Sequence, residues 1–304
     1  MRELKIKDSF YNELHCYVWE KVENVKGVVQ ILHGVNEHGL RYIEFAEYLN
    51  RNGYVVYLTE HLSQGLSRTS KDGEVVDFGK SGQLKLIDGM NKTRALIKEE
   101  YKNQKIYAVG HSLGALIIRN YLLYNKNEYE KIILTGSGLS SVKGLGGFMF
   151  FGGIISMFKG NKPSKLFDGL FRKTQLRLNE KVEINHFIEW LTRDEELTEI
   201  NKKDQYLFIR LSVNSFMSLL KLVKNANNMN NIRDKYSDNI NMLVLSGTHD
   251  PSTEFGEGTR LLYEYLREIG LKGSMRLYPE ARHDLLQETN RKEVFKDILE
   301  FIVK

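Results

Sequence analysis

Gly110-His111-Ser112-Leu113-Gly114 constrains this chain more than any other stretch, because a serine spaced between two glycines gains meaning from what flanks it. A short β-prone run, Lys105 to Val109, precedes it, and the long helix-prone run Ala115 to Tyr124 follows. Strand, tight turn and helix are the setting of a nucleophile elbow. On such a turn the serine hydroxyl is lifted out of the sheet, and the helix N-terminus offers free N–H groups to developing negative charge. A side chain at either glycine would crowd the turn. The competing reading is a Gly-Ser turn that caps a buried helix.

The rest of the chain supplies the frame such a turn needs. Leu4 to Lys7 and Glu13 to Glu20 read as an opening antiparallel hairpin, followed by the nearly continuous apolar run Gly27 to Leu32. A run of that kind suits a central strand covered on both faces. A helix over 41–52, a strand at Tyr54 to Leu58, a polar loop over 60–81 and a helix from Gly82 onward lead to the elbow. Lys131 to Leu134 is a further strand. Alternation of this kind predicts an α/β fold, with a mostly parallel sheet and helices on both faces.

Between 139 and 235 the alternation stops, and strand and helix signals resume at Asn241 to Ser246. The expected organisation is therefore a core of 1–138 and 236–304 interrupted by an inserted cap of 139–235, returning through the Asn-rich run Asn225 to Asn231. Trp190, Phe208, Phe216, Met217, Leu219, Leu220 and Leu222 predict amphipathic helices whose apolar faces more often join a core than a pocket. Gly144 to Phe158 is the most apolar piece of the chain, yet too short and too rich in glycine for a membrane span of about 20 residues. Two readings stay open for it: a lid that lines an acyl pocket and touches lipid, or an ordinary buried segment.

A length of 304 residues is enough for one large core with an insertion. The net charge of +5 is spread along the chain without a basic block, which does not mark a nucleic-acid binder. One cysteine, Cys16, excludes an internal disulfide, and the N-terminal residues lack the pattern of a secretory signal, so a cytoplasmic protein is expected.

A serine hydroxyl is a weak nucleophile near neutral pH and needs a base, itself oriented by a carboxylate. In elbow proteins the three follow in the order serine, acid, histidine. His283 satisfies that order after the strand Ser274 to Tyr278. Of the other seven histidines, five precede the serine, His186 lies in the insertion and His249 directly precedes the acid. Asp250 follows a strand, whereas Glu280 and Asp284 lie too close to His283 to orient it easily; Glu254 also competes. The backbone N–H groups of Val35, just after the strand Gly27 to Leu32, and of Leu113 are the expected oxyanion donors. His33, Glu37 and His38 offer ligand types for a metal, but nothing nearby completes zinc spacing, and a polar loop wall is the favoured role. This chemistry calls for no metal or cofactor.

His33-Gly34-Val35-Asn36-Glu37-His38 with Arg41-Tyr42 resembles the HGxxEHxxRY segment of the monoacylglycerol lipase and lysophospholipase group of α/β-hydrolases. Gly110 to Gly114 resembles the GHSxG elbow of that group, Gly247 to Pro251 its GxxDP loop, and Ala281-Arg282-His283 its ARH loop. The resemblance implies an α/β-hydrolase fold and a serine esterase acting on single-chain lipids such as monoacylglycerols or lysophospholipids, with a cap over the pocket; transient contact of that cap with a membrane or micelle surface is an expectation from the apolar stretch Gly144 to Phe158. Two departures stand out. Glu60 to Ser67 occupies the place of DHRGHGxS, which bears on cap docking and access, and Ala115 replaces a glycine often found after the elbow. The alternatives are a short-chain carboxylesterase, thioesterase or peptidase with the same triad, or a non-catalytic membrane-associated binding protein using residues 144–158.

Overall fold

The computed structural model describes residues 1–68, 74–140 and 145–304. Residues 69–73 of the polar loop and Gly144 at the head of the apolar stretch lie outside the described residues.

Among the described residues ten strands follow in chain order: β1 (Arg2–Lys7), β2 (Glu13–Trp19), β3 (Gly27–Leu32), β4 (Tyr54–Thr59), β5 (Val75–Val76), β6 (Ile106–His111), β7 (Lys131–Thr135), β8 (Arg210–Leu211), β9 (Asn241–Gly247) and β10 (Lys272–Tyr278). Eight of them form one sheet in the order β1-β2-β4-β3-β6-β7-β9-β10. The expected hairpin is antiparallel, with Leu4 opposite Cys16, and β2 also runs antiparallel to β4. All remaining pairs in this sheet are parallel.

β3, β4 and β6 are buried at every position. Successive residues then serve opposite faces. Val28, Val55, Ala108 and Ile132 pack under Leu86, Met90, Ile117 and Ile118 in one cluster. Val29, Val56, Val109 and Ile133 pack under Phe45, Leu49, Phe295 and Ile298 in the other. Gln30, the one polar side chain in β3, is satisfied by donating to Met90 O at 3.0 Å and accepting from the Tyr129 hydroxyl at 2.7 Å. Cys16 is fully buried, as expected of a small packing residue.

The chain runs outward from β3 to β4, then crosses back so that β6 lies on the other side of β3. The loops leaving the carboxyl ends of β3 and β6 therefore diverge at a switch point, the place where open α/β sheets make clefts. The loop with Val35 and the turn with Ser112 are those two loops.

The stretch between β7 and β9 is mainly helical: Leu145–Lys159, Lys165–Leu176, Glu195–Lys203, Val213–Ala226 and Met229–Lys235. Helix Val213–Ala226 rides on the elbow helix Leu113–Tyr124, where Asn120 Nδ2 donates to Leu222 O at 2.9 Å and Arg119 donates to Ala226 O. The Asn-rich run is not a linker. Asn225 lies in the last turn of the helix that ends at Ala226, Asn227 caps it, Met229 begins the next, and the Asn228 side chain caps the second by accepting from Asn231 N–H. Asparagine favours helix ends as well as loops, and composition alone does not separate the two. The small pairing of β5 with β8 also lacks a sequence signal, being two residues long on each side.

Candidate active site

Ser112 adopts φ +50° and ψ −109°, a conformation that side chains seldom take and that tight packing must enforce. Its N–H donates to Thr135 O at 2.9 Å, which ties the turn to the end of β7. A Cβ on Gly110 would lie 2.6 Å from Ile118 Cδ1, and one on Gly114 would collide with the carbonyl oxygen of Leu32. The elbow therefore packs directly against the end of β3, the strand that feeds Val35. Leu113 is the first helical residue, so its N–H has no acceptor within the helix. Val35, Ser112, Leu113 and His283 line one cavity.

His283 and Asp250, on the loops after β10 and β9, meet as the chain order anticipates. His283 Nδ1 is 2.9 Å from Asp250 Oδ2, with the two side chains 3% and 0% exposed. Asp250 Oδ1 accepts from Ser252 N–H at 2.9 Å and Ser252 Oγ at 2.7 Å. Burial alone would push the imidazole down, but the charge and hydrogen bond of Asp250 outweigh it and hold His283 above the ordinary histidine value. Burial likewise pushes Asp250 up, and His283 with Ser252 reverses this to leave it below the usual carboxylate range. Nδ1 being engaged, Nε2 is the nitrogen left to face a serine.

The three rival acids have other partners. Glu254 pairs with Arg177 at 2.7 Å, and Glu280 is largely exposed beside Arg193. Asp284 lies near the His283 ring, but its hydrogen bonds go elsewhere: it accepts from Arg41 Nη2 at 2.8 Å and meets His111 Nε2 at 2.9 Å. Arg41 also binds Glu37, whose Oε1 accepts from Gly34 N–H and, at 2.7 Å, from the Tyr42 hydroxyl. Burial opposes both carboxylates, yet Arg41 wins and leaves Glu37 and Asp284 below their ordinary range. This buried chain runs from the loop of Val35 to the loop of His283, and sequence reasoning missed it because its members are far apart in the chain.

His33, Glu37 and His38 do not converge as a metal set. His33 faces Glu60 at 3.1 Å, Glu37 faces Arg41, and His38 faces Asp204 at 2.7 Å. Among the described residues the group of potential ligands that does meet is His111, His283 and Asp284, and each is already engaged by the partners named above. Glu60, at the first departure from the family pattern, also accepts from Gly39 N–H at 3.0 Å, while Gln64 Oε1 accepts from Asn36 N–H at 2.6 Å. Arg68 Nη2 donates to Gln205 O at 2.8 Å, so the same stretch reaches the helical insertion.

The cavity measures about 660 Å³. Leu116, Phe216, Leu219, Leu220 and Val223 wall one part, and Trp190, Leu191, Leu207 and Phe208 another. Trp190, Phe208, Phe216, Leu219 and Leu220 pack in the apolar clusters as expected and line the pocket as well, whereas Met217 and Leu222 are core alone. Helical periodicity identifies an apolar face and says nothing of what lies opposite. No described residue of 145–159 lines the cavity. Among the described residues of this helix, Ile154, Met157 and Phe158 are 40%, 72% and 81% exposed, while Met149 and Ile155 pack against the core. Among the described residues no helix is long and apolar enough to cross a membrane.

Known proteins match this arrangement at two levels. In sequence, a monoglyceride lipase homolog of Monkeypox virus is 31% identical over 121 residues, 40% of this chain and 42% of that protein. The rat monoglyceride lipase is 29% identical over 107 residues, 34% of this chain and 32% of that protein. The chain therefore spans less than half the length of these curated relatives. In structure, a thermostable carboxyl esterase from Bacillus coagulans superposes with a TM-score of 0.90 at 20% identity, covering 99% of this chain and 97% of that one. A soluble variant of the Saccharomyces cerevisiae monoglyceride lipase gives 0.72 at 16% identity, covering 95% and 91%. At these identities the superpositions speak to the fold. The family model described as serine aminopeptidase, S33, matches residues 23–290, and this chain belongs to that family of α/β-hydrolases.

Proposed function

We propose that the protein is a serine hydrolase that cleaves carboxylic esters of single-chain lipids, monoacylglycerols or lysophospholipids, through an acyl-enzyme on Ser112. The observation that carries this reading is one cavity of about 660 Å³ that joins Ser112 and His283 to an apolar wall. That volume lies within the ~300–1,000 Å³ typical of small-molecule sites. The monoglyceride lipase and carboxyl esterase names among its relatives and neighbours point to the same chemistry.

In this reading His283 Nε2 takes the proton of Ser112 Oγ as the oxygen attacks the ester carbonyl carbon. Asp250 holds the imidazole in the required tautomer and stabilises its charged form. The N–H groups of Val35 and Leu113 receive the oxyanion. Collapse expels the alcohol, which leaves with the proton from His283. Water then gives a proton to His283 and attacks the acyl carbon, which releases the acid and restores the serine.

Residues 139–235 act as the cap over this pocket. Their exposed Ile154, Met157 and Phe158, followed by exposed Lys159, Lys162 and Lys165, suit transient contact with an anionic lipid surface. A chain-length series of p-nitrophenyl esters, with monoacylglycerol, lysophospholipid and aminoacyl anilides in parallel, tests the substrate class. The expected result is a kcat/KM that climbs tenfold or more, on the order of two buried methylenes, from acetyl to long acyl esters. A preference for acetyl esters or for aminoacyl anilides would sink the lipid reading in favour of a short-chain esterase or a peptidase.

A further inference from the structure

Two rings from different parts of the chain flank His283. Trp190 lies almost parallel to the imidazole, with ring centroids 4.4 Å apart and planes inclined by 20°. His111 lies 4.7 Å away at 54°. His111 belongs to the elbow, but Trp190 ends the short helix Phe187–Trp190 in the insertion, where no hydrolase motif would look for a contributor.

That helix is bound to the loop of His283 by backbone as well as side chains. His283 N–H donates to Trp190 O at 3.3 Å and Asp284 N–H to Leu191 O at 2.7 Å. Arg282 Nη1 donates to Glu189 O at 2.6 Å, and Arg193 pairs with the fully buried Glu288 at 3.0 Å. A capping box formed by His186 and Glu189 starts the helix, and Trp190 is 7% exposed. The indole is thus a fixed surface.

We propose that Trp190 is a positioning residue for His283, fixing the plane of the imidazole and stabilising its charged form during turnover. The inference rests on the reading of His283 as the general base. Asp250 and Ser252 hold the ring at its Nδ1 edge, and the indole face packed parallel to it restrains its plane. A cation within about 6 Å of a tryptophan face is attracted by the ring quadrupole, most strongly where water is excluded. His283 is neutral before attack and charged in the tetrahedral intermediate. An interaction that strengthens only on charging accelerates the chemical step without tightening substrate binding.

The charged and titratable groups around His283 are Asp250, Asp284, Glu37 and His111, with the Ser252 hydroxyl at Nδ1. Trp190→Leu keeps the site apolar and removes the ring face; Trp190→Phe restores a face. The measurement is kcat and KM for a p-nitrophenyl ester from pH 5 to 9, together with the pH dependence of fluorophosphonate labelling at Ser112 and a melting curve for each full-length variant. For Trp190→Leu we expect kcat to fall about 10- to 30-fold, KM to stay within about twofold, and the acid limb of both profiles to move down by about one pH unit. Trp190→Phe should recover most of the rate and of the limb. Trp190→Met supplies the same comparison if the leucine variant does not fold. Equal damage by leucine and phenylalanine, a loss confined to KM, or an unmoved acid limb would overturn the proposal. A wild-type protein that neither hydrolyses esters nor labels at Ser112 would refute the hydrolase reading itself, a result distinct from an active enzyme indifferent to Trp190.

Discussion

His283 with Asp250 and His33 with Glu60 are both imidazole–carboxylate pairs shut away from bulk water, at 2.9 Å and 3.1 Å with exposures of 3% or less. In each, burial pushes the imidazole down and the carboxylate more than reverses it, so both histidines sit above their ordinary value. Their surroundings separate them. His283 lines the cavity beside Ser112, whereas His33 is absent from its described lining and is boxed in by the ring of His61 at 4.1 Å. Its Nδ1 donates to Gly34 O at 2.8 Å, which shapes the loop carrying Val35. A raised histidine therefore marks a buried ion pair, and only access to a nucleophile and a cavity turns such a pair into a candidate for chemistry.

The sharpest way to break that contrast is to remove the charge from each carboxylate in turn. Asp250→Asn should lower kcat by about 10⁴-fold, because the histidine is left in the wrong tautomer. With neutral His283 as the proposed base, activity in the wild type should rise with pH through a value above the ordinary histidine figure. Loss of the Asp250 charge should move any residual acid limb to lower pH. A variant retaining a tenth or more of wild-type kcat in steady-state assays would contradict the assignment.

Glu60→Gln should leave kcat within about tenfold and act on stability. A histidine raised in the folded state contributes stability that is fully present below its unfolded value near 6.5 and lost as pH rises through its folded value. Urea unfolding should thus show a cost of about 1–3 kcal/mol at pH 6, the scale of a hydrogen bond to a charged group, shrinking toward pH 9. A cost equal at both pH values, or a collapse of kcat as deep as that of Asp250→Asn, would erase the distinction between the two pairs.

The same contrast explains what the sequence makes legible. Ser112 and Asp250 each follow a strand written as an apolar run, His283 follows the alternating edge strand β10, and strand ends on one edge of a parallel sheet must converge. The Arg41 bridge between Glu37 and Asp284 is silent in the sequence, because its residues are ordinary charges until the fold brings positions 41 and 284 together. Asp284 even reads as a rival acid for its neighbour, although its carboxylate serves His111 and Arg41. The insertion is less legible still. Its helices carry the expected apolar spacing, but whether Phe216 or Trp190 faces a core, a cavity or a catalytic ring depends on which surface the helix meets. Local pattern carries no record of that long-range choice.

Central to the account is that Ser112 is the activated nucleophile, and covalent labelling tests this most directly. Intact folded protein treated with a fluorophosphonate should gain one adduct, mapped by peptide mass spectrometry to Ser112, absent in Ser112→Ala and slowed by about 10³-fold or more in His283→Ala. Folded wild-type protein that stays unlabelled, or that carries the adduct at another residue, would contradict it.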